Sequence, residues 1–325
     1  MFEAERGTFA GVIREDRVLA LMDLFDGGRA WPRELPAPAS LYALLPCWDT
    51  ALDAIENAVR ERGETLGGVE PGRLRVLAPM PESRQVICTG ANYRRHVIDL
   101  VAAQGAGAAS EGMTREQRVA DAERRVDERA RNGMPYAFPK LVSSIAGPFD
   151  DVVIPADAEQ FDWELELGVV LGRGGWRIPR ERAMEHVAGF TIVNDLTRRE
   201  LVYRSDMKSL GSDWLRCKSG PGFLPTGPWL VPARYVDPRN LRMRLELNGQ
   251  VMQDESTSDM LFDIPAQIAY VSSYARLLPG DLLATGSPAG NGMHHGRFLQ
   301  PGDVITASIQ YLGTQVNRCI GEQAS

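Results

Sequence analysis

Histidine and cysteine are scarce in this chain, with four of each in 325 residues. Cys47, Cys88, Cys217 and Cys319 are scattered without a CxxC pair. That spacing counts against a zinc site or a disulfide framework and fits a reducing compartment, the cytoplasm. With so few imidazoles, a metal would have to rely on oxygen ligands, which points to Mg2+, Mn2+ or Ca2+. No apolar run approaches the roughly 20 residues of a membrane span. The start, Met1-Phe2-Glu3-Ala4-Glu5, lacks the basic-then-apolar pattern of a signal peptide. Positive charge is also in deficit: 36 Lys and Arg against 43 Asp and Glu leave a net charge of -7. This argues against a nucleic-acid or anionic-membrane surface and leaves room for a locally basic pocket. The remainder, 44% apolar and 24% charged, is ordinary for a soluble globular protein with one large domain and a smaller companion.

Residues 1–79 read as a small N-terminal α+β domain and 80–325 as the catalytic domain. Phe9 to Ile13 and Val18 to Met22 suggest two short strands around a polar turn. Trp48 to Arg62 has helical spacing, with Leu52, Ile55 and Val59 on one side. Pro71 to Pro81 is taken as the linker. Val86 to Gly90 is a short apolar strand. A polar insert follows over 103–133, where Thr114-Arg115-Glu116-Gln117 has capping-box form and Asn132-Gly133 suits a helix stop. Asp121 with Arg125, and Asp127 with Arg131, are spaced for ion pairs on a solvated helix. Beyond the insert, short strands punctuated by Gly and Pro predict a mainly β core with a few helices, an α+β class overall.

Phe161 to Gly172 reads as one strand. Alternation puts Glu164, Glu166 and Gly168 on one face, with Trp163, Leu165 and Leu167 on the other. The two carboxylates would lie about 7 Å apart among apolar neighbours. Buried like charges need a cation between them, and a hard divalent ion is the simplest. The strand alone fits two solvent-facing glutamates equally well. A second apolar strand, Gly189 to Val193, runs into Asn194-Asp195 and brings another carboxylate to a strand end.

These segments belong to an ordered set. Val86 to His96 ends in Asn92-Tyr93-Arg94-Arg95-His96. Phe138-Pro139-Lys140, Asp162 to Gly172, and Asn194 to Arg199 follow. Lys218-Ser219 precedes Pro225-Thr226-Gly227-Pro228-Trp229. Asn248 to Gln253, Pro279-Gly280-Asp281 and Thr285 to Gly290 complete it. Over roughly Pro79 to Val316 the chain resembles the fumarylacetoacetate hydrolase superfamily. The resemblance implies a mixed β-roll catalytic domain, a small N-terminal domain in longer members, and a homodimer. It implies that Glu164, Glu166 and Asp195 bind Mg2+ or Mn2+ and that His96 is a general base. Asp99, where relatives often carry Glu, would orient His96. Lys140, Arg199 and Lys218 would surround a bound acid with positive charge, Lys218 with a catalytic role. Tyr93, Thr285 and Gly286 would contact substrate.

Val202 departs from the family, since many relatives acting on short acylpyruvates or oxaloacetate have Gln there. The change suggests a different or bulkier substrate. The insert over 103–133 is a candidate lid. The implied reaction is hydrolysis of a carbon–carbon bond in a small β-diketo acid through an enolate. The alternatives are decarboxylation, tautomerisation, isomerisation or hydration of a 2-oxo acid at the same site. A metal-binding but inactive scaffold is the alternative from another class; it would lack the base or the lysines.

Overall fold

The computed structural model describes the chain except Arg6, Glu82, residues 105–111 and the last two residues. The N-terminal unit is built from short pieces. Gly11–Arg14 and Arg17–Ala20 form a hairpin whose turn starts at Glu15, in the left-handed region at φ 53°. The helix Trp48–Arg62 forms where its spacing predicts and buries Ala51, Leu52, Ile55 and Ala58. Ala51, Ile55 and Ala58 pack with Leu21, Leu24 and Phe25. The stretch read as a linker contains a strand, Arg75–Val76, antiparallel to Phe2–Ala4. It therefore closes the N-terminal sheet. Contacts that tie this unit to the rest include Phe2 and Val76 packing with Trp229, the Trp48 indole N–H donating to the Ala188 carbonyl at 2.8 Å, and Arg234 pairing with Asp53 and Glu56.

The larger part rests on two sheets. One has six strands, in the order Val231–Pro232, Val187–Asn194, Leu165–Leu171, Leu282–Ala284, Val86–Gly90 and Tyr136–Lys140. We call Val86–Gly90 β1, Tyr136–Lys140 β2, Leu165–Leu171 β3, Val187–Asn194 β4 and Leu282–Ala284 β5. All neighbours in this sheet are antiparallel except β5 and β1. The second sheet has five strands, with Arg242–Leu247 and Val304–Ile309 at its centre. The main apolar core joins the two. Leu165, Leu167 and Val169 of β3 meet Met243, Leu245, Ile305 and Ala307 there. This alternation is what turns the even-numbered side chains of β3 away from the core.

Helix α1 (Arg94–Gln104) follows β1 directly and carries His96. The turn between them is clipped by Asn92, which is wholly buried. Its amide donates to the carbonyls of Phe262 at 3.1 Å and Thr285 at 2.8 Å and accepts from the Phe262 N–H at 3.0 Å. Helix α2 (Arg115–Asn132) begins at the predicted capping box, with Thr114 and Gln117 each bonding the other's backbone. Its apolar stripe, Ala122 and Val126, packs on Val97 and Ile98 of α1. Asp127 bonds Arg94 of α1 at 2.8 Å instead of Arg131, and Arg129 donates to the Ala91 carbonyl. The described part of the insert is thus docked on α1. Its segment 105–111 lies outside the described residues.

Asn92→Ala would leave buried backbone groups short of partners. We expect it to lower unfolding free energy by about 3 kcal/mol, at the upper end of the cost of an unsatisfied buried group. Urea denaturation checks this, and an unchanged midpoint would contradict the clip.

Candidate metal centre and active site

The segment read as one strand is two. Phe161–Asp162 and β3 are separated at Trp163 and Glu164. The break has a local and a distant component: Asp162 turns its carboxylate back onto the Trp163 N–H at 2.8 Å and onto the Gly292 N–H from far along the chain. Glu164 is then held by β4. Its N–H donates to Asn194 Oδ1, and its carbonyl accepts from the Asp195 N–H, both at 2.8 Å. Past the break, alternation puts Glu166 and Gly168 on the face away from the core. The result agrees with the residue pattern: Glu164, Glu166 and Asp195 are all buried and offer oxygen atoms within 4.8 Å of one another.

Three cations surround them unevenly. Lys218, at the end of helix α3 (Trp214–Lys218), reaches Glu164 at 2.6 Å, Asp195 at 2.5 Å and the Thr197 hydroxyl at 2.8 Å. Arg199 bridges Asp162 at 2.7 Å and Glu164 at 2.5 Å. Lys140 donates to Asp195 at 2.6 Å and to the Phe223 carbonyl at 2.8 Å. Lys140 is enclosed behind Asp195 instead of lining the cavity, so it positions a carboxylate and does not meet a ligand. Glu166 receives only the Gly286 N–H, at 2.7 Å, among the described residues.

The charges follow this asymmetry. Burial pushes Glu164 up, but Arg199 and Lys218 outweigh it and bring the group to about 2. Glu166 is pushed well above the usual range by burial and then by Asp195 and Glu164. Two like charges 4.8 Å apart repel by about 3 kcal/mol at the effective dielectric of a protein site. With every group ionised, Asp162, Glu164, Glu166 and Asp195 against Lys140, Arg199 and Lys218 would leave one net negative charge, that of Glu166. An all-oxygen donor set with one uncompensated carboxylate fits a hard divalent ion, which would reverse the sign of the site.

The cluster forms the floor of a cavity of about 390 Å³. His96, Arg199, Lys218 and Val202 line it as the sequence placed them. Burial, then the nearby Arg199, His294 and Lys218, lower His96 to about 4, so its imidazole is neutral at physiological pH. Four other expectations do not hold. Asp99 lies beside His294, 3.6 Å from its Nδ1, and its buried Oδ2 has no hydrogen-bond partner. Its short arm does not hold His96. Tyr93 is wholly buried in the core, with its hydroxyl on Met243 Sδ at 3.1 Å. The Thr285 hydroxyl donates to the Leu167 carbonyl at 2.9 Å, and the Gly286 N–H is engaged by Glu166, so neither donor is free for a substrate. Gly286 sits at φ 97°, where a Cβ would meet Asn92 Cβ at 2.9 Å.

Sequence reasoning missed Asp162, Thr197 and the aromatic wall of Tyr136, Phe138 and Trp214. The signals were present: Asp162 is two residues before Glu164, Tyr136 and Phe138 alternate with Lys140, and Trp214 precedes Lys218 by four.

The His96 shift has a signed consequence. Unfolded, the imidazole takes a proton near 6.5; folded, near 4. Stability present above 6.5 is therefore lost as pH falls from 6.5 toward 4, by on the order of 3 kcal/mol. His96→Gln should flatten that part of the stability profile measured by urea unfolding at pH 7 and pH 5. Parallel profiles would contradict the shift.

Comparison with known proteins agrees with this geometry. The family model described as fumarylacetoacetate (FAA) hydrolase C-terminal matches residues 85–320. The mitochondrial oxaloacetate tautomerase Fahd2a of Rattus norvegicus is 32% identical over 286 residues, covering 87% of this chain and 80% of its own. The 2,4-didehydro-3-deoxy-L-rhamnonate hydrolase of Sphingomonas sp. (strain SKA58) is 41% identical over 185 residues, covering 56% and 63%. The crystal structure of 2-hydroxyhepta-2,4-diene-1,7-dioate isomerase from Mycobacterium marinum aligns with a TM-score of 0.60 at 30% identity, over 79% of this chain and 81% of that one. The chain belongs to the fumarylacetoacetate hydrolase family.

Proposed function

We propose that the protein is a metal-dependent hydrolase that cleaves a carbon–carbon bond in a small β-diketo acid of the acylpyruvate type. The observation that carries this reading is the placement of His96 on the wall of the cavity whose floor is the buried carboxylate cluster. Glu164, Glu166 and Asp195 would hold Mg2+ or Mn2+, the ions suited to a compact all-oxygen site. Bound there, the ion supplies Lewis-acid charge for the oxygens of a 2-oxo acid.

The protein's own residues do the rest. His96 accepts a proton from a water in the cavity. The water oxygen bonds to the distal carbonyl carbon, and the bond from that carbon to C3 breaks. The electron pair stays on the pyruvate fragment as an enolate, held by the positive charge of Lys218 and Arg199. His96 returns the proton to C3. One water is consumed and two acids leave. The Sphingomonas relative named as a hydrolase supports this reading.

A second reading is favoured by one observation. Asp99 faces His294, leaving His96 without the carboxylate partner that water activation would use. The same site without water attack would exchange the C3 proton and tautomerise a 2-oxo acid, in keeping with the relatives named oxaloacetate tautomerases.

Proton NMR in D2O with Mn2+-loaded or Mg2+-loaded protein separates the two. The panel is acylpyruvates, oxaloacetate and 2-oxo-enoic acids. Hydrolysis yields two acids in equal amounts, with deuterium at C3 of the pyruvate. We expect His96→Ala to slow this by about 10²- to 10⁴-fold. Exchange at C3 without cleavage would establish the second reading instead. Cleavage unchanged in His96→Ala would overturn the role of the base.

A further inference from the structure

Two elements run from the cavity mouth to the carboxylate floor, and each carries rings above and cations below. On β2 the side chains of Tyr136, Phe138 and Lys140 share one face, and their exposure falls from 45% to 6% to 3%. On α3, Trp214 and Lys218 are four apart and share a face. The two faces meet. Trp214 stacks on Phe138 with centroids 4.5 Å apart and planes 16° from parallel, and its indole N–H donates to the Tyr136 hydroxyl at 2.6 Å. Lys218 Nζ lies 5.6 Å from the centre of the Phe138 ring. An aromatic wall thus begins where the charged floor ends. Leu100, Val202 and Met293 also line the cavity.

Charge is distributed just as unevenly. Arg199 and Lys218 are the lysine and arginine residues of the lining, and both are bonded to carboxylates at the floor. An anionic group lying against the wall would lose hydration with no free cation beside it among the described lining residues, which is costly. A flat apolar group would bury area against the stacked pair of Phe138 and Trp214. The cavity, about 390 Å³, is within the range of pockets that enclose ligands with a substantial body.

We propose that this wall is the binding site for the tail of the substrate, and that the tail is a flat, uncharged aryl or conjugated alkenyl group. This rests on the keto-acid reading above for the head of the molecule. It assigns specificity to Trp214, Phe138 and Val202. It sets this protein apart from an enzyme for dicarboxylic keto acids, whose second carboxylate would find no free lysine or arginine among the described residues of the wall.

Two measurements test it. The first is the turnover of 2,4-dioxo acids bearing a phenyl, a methyl or a carboxyethyl group on the distal carbon. We expect kcat/KM for phenyl to exceed that for methyl by about tenfold, mostly through KM, with carboxyethyl lowest. Trp214→Ala should bring the phenyl-to-methyl ratio to near unity, and Trp214→Phe should keep most of it. Val202→Arg should raise the carboxyethyl substrate relative to phenyl. The second is binding without turnover, by tryptophan fluorescence with Mn2+ present, comparing phenylpyruvate with 2-oxoglutarate. Tighter binding of phenylpyruvate with no turnover of any dioxo acid would leave the aromatic slot standing and remove the hydrolase reading. Equal or tighter binding of 2-oxoglutarate, or a phenyl-to-methyl ratio that Trp214→Ala leaves untouched, would overturn the slot.

Discussion

Three carboxyl groups within 4.8 Å in a buried site repel one another, and much of the surrounding structure answers that repulsion. Lys218 sits between Glu164 and Asp195, Arg199 grips Glu164 from the side of Asp162, and Lys140 backs Asp195. Glu166 is left over. Burial and its neighbours push it toward the protonated form, and one backbone N–H does not offset them. The site is therefore built around a missing positive charge. A divalent ion would supply it, and with Glu166 then ionised the site would carry net positive charge.

The fold places these groups on rigid elements. β3 turns its odd-numbered side chains into the core between the two sheets, which fixes where Glu166 points. β4 delivers Asn194 and Asp195 to the break before β3, so the third carboxylate and the clamp on Glu164 come from consecutive residues. β1 ends in the turn clipped by Asn92, which aims α1 and its His96 at the same cavity. β2 and α3 each carry a lysine toward the floor and rings toward the mouth. The charged floor and the aromatic wall are thus two ends of the same pair of elements.

Local signals were legible in the sequence. The helix Trp48–Arg62, the capping box at Thr114 and Gln117, and the alternation around Glu166 depend on neighbours within a few residues, and all are present. Readings that depended on a distant partner fared less well. Asp127 looked set to pair with Arg131, but tertiary packing gives it Arg94. The single strand from Phe161 breaks because Asp162 bonds Gly292, 130 positions away. The family resemblance implied that Asp99 orients His96, yet His294 from the far end of the chain lies beside it. Lys140 and Lys218 both sit among apolar residues, and nothing local told which one faces the cavity. Tyr93 shares its motif with a site histidine, but its ring fills the core while His96 faces out.

The central claim is that Glu164, Glu166 and Asp195 together hold one divalent ion. Calorimetric titration of Mn2+ into the purified protein tests it directly, run in two buffers of different ionisation enthalpy. The account predicts one ion per chain, proton release as the elevated Glu166 ionises on binding, and at least a tenfold loss of affinity in Glu166→Gln. No binding, or equal affinity in wild type and Glu166→Gln, would contradict it.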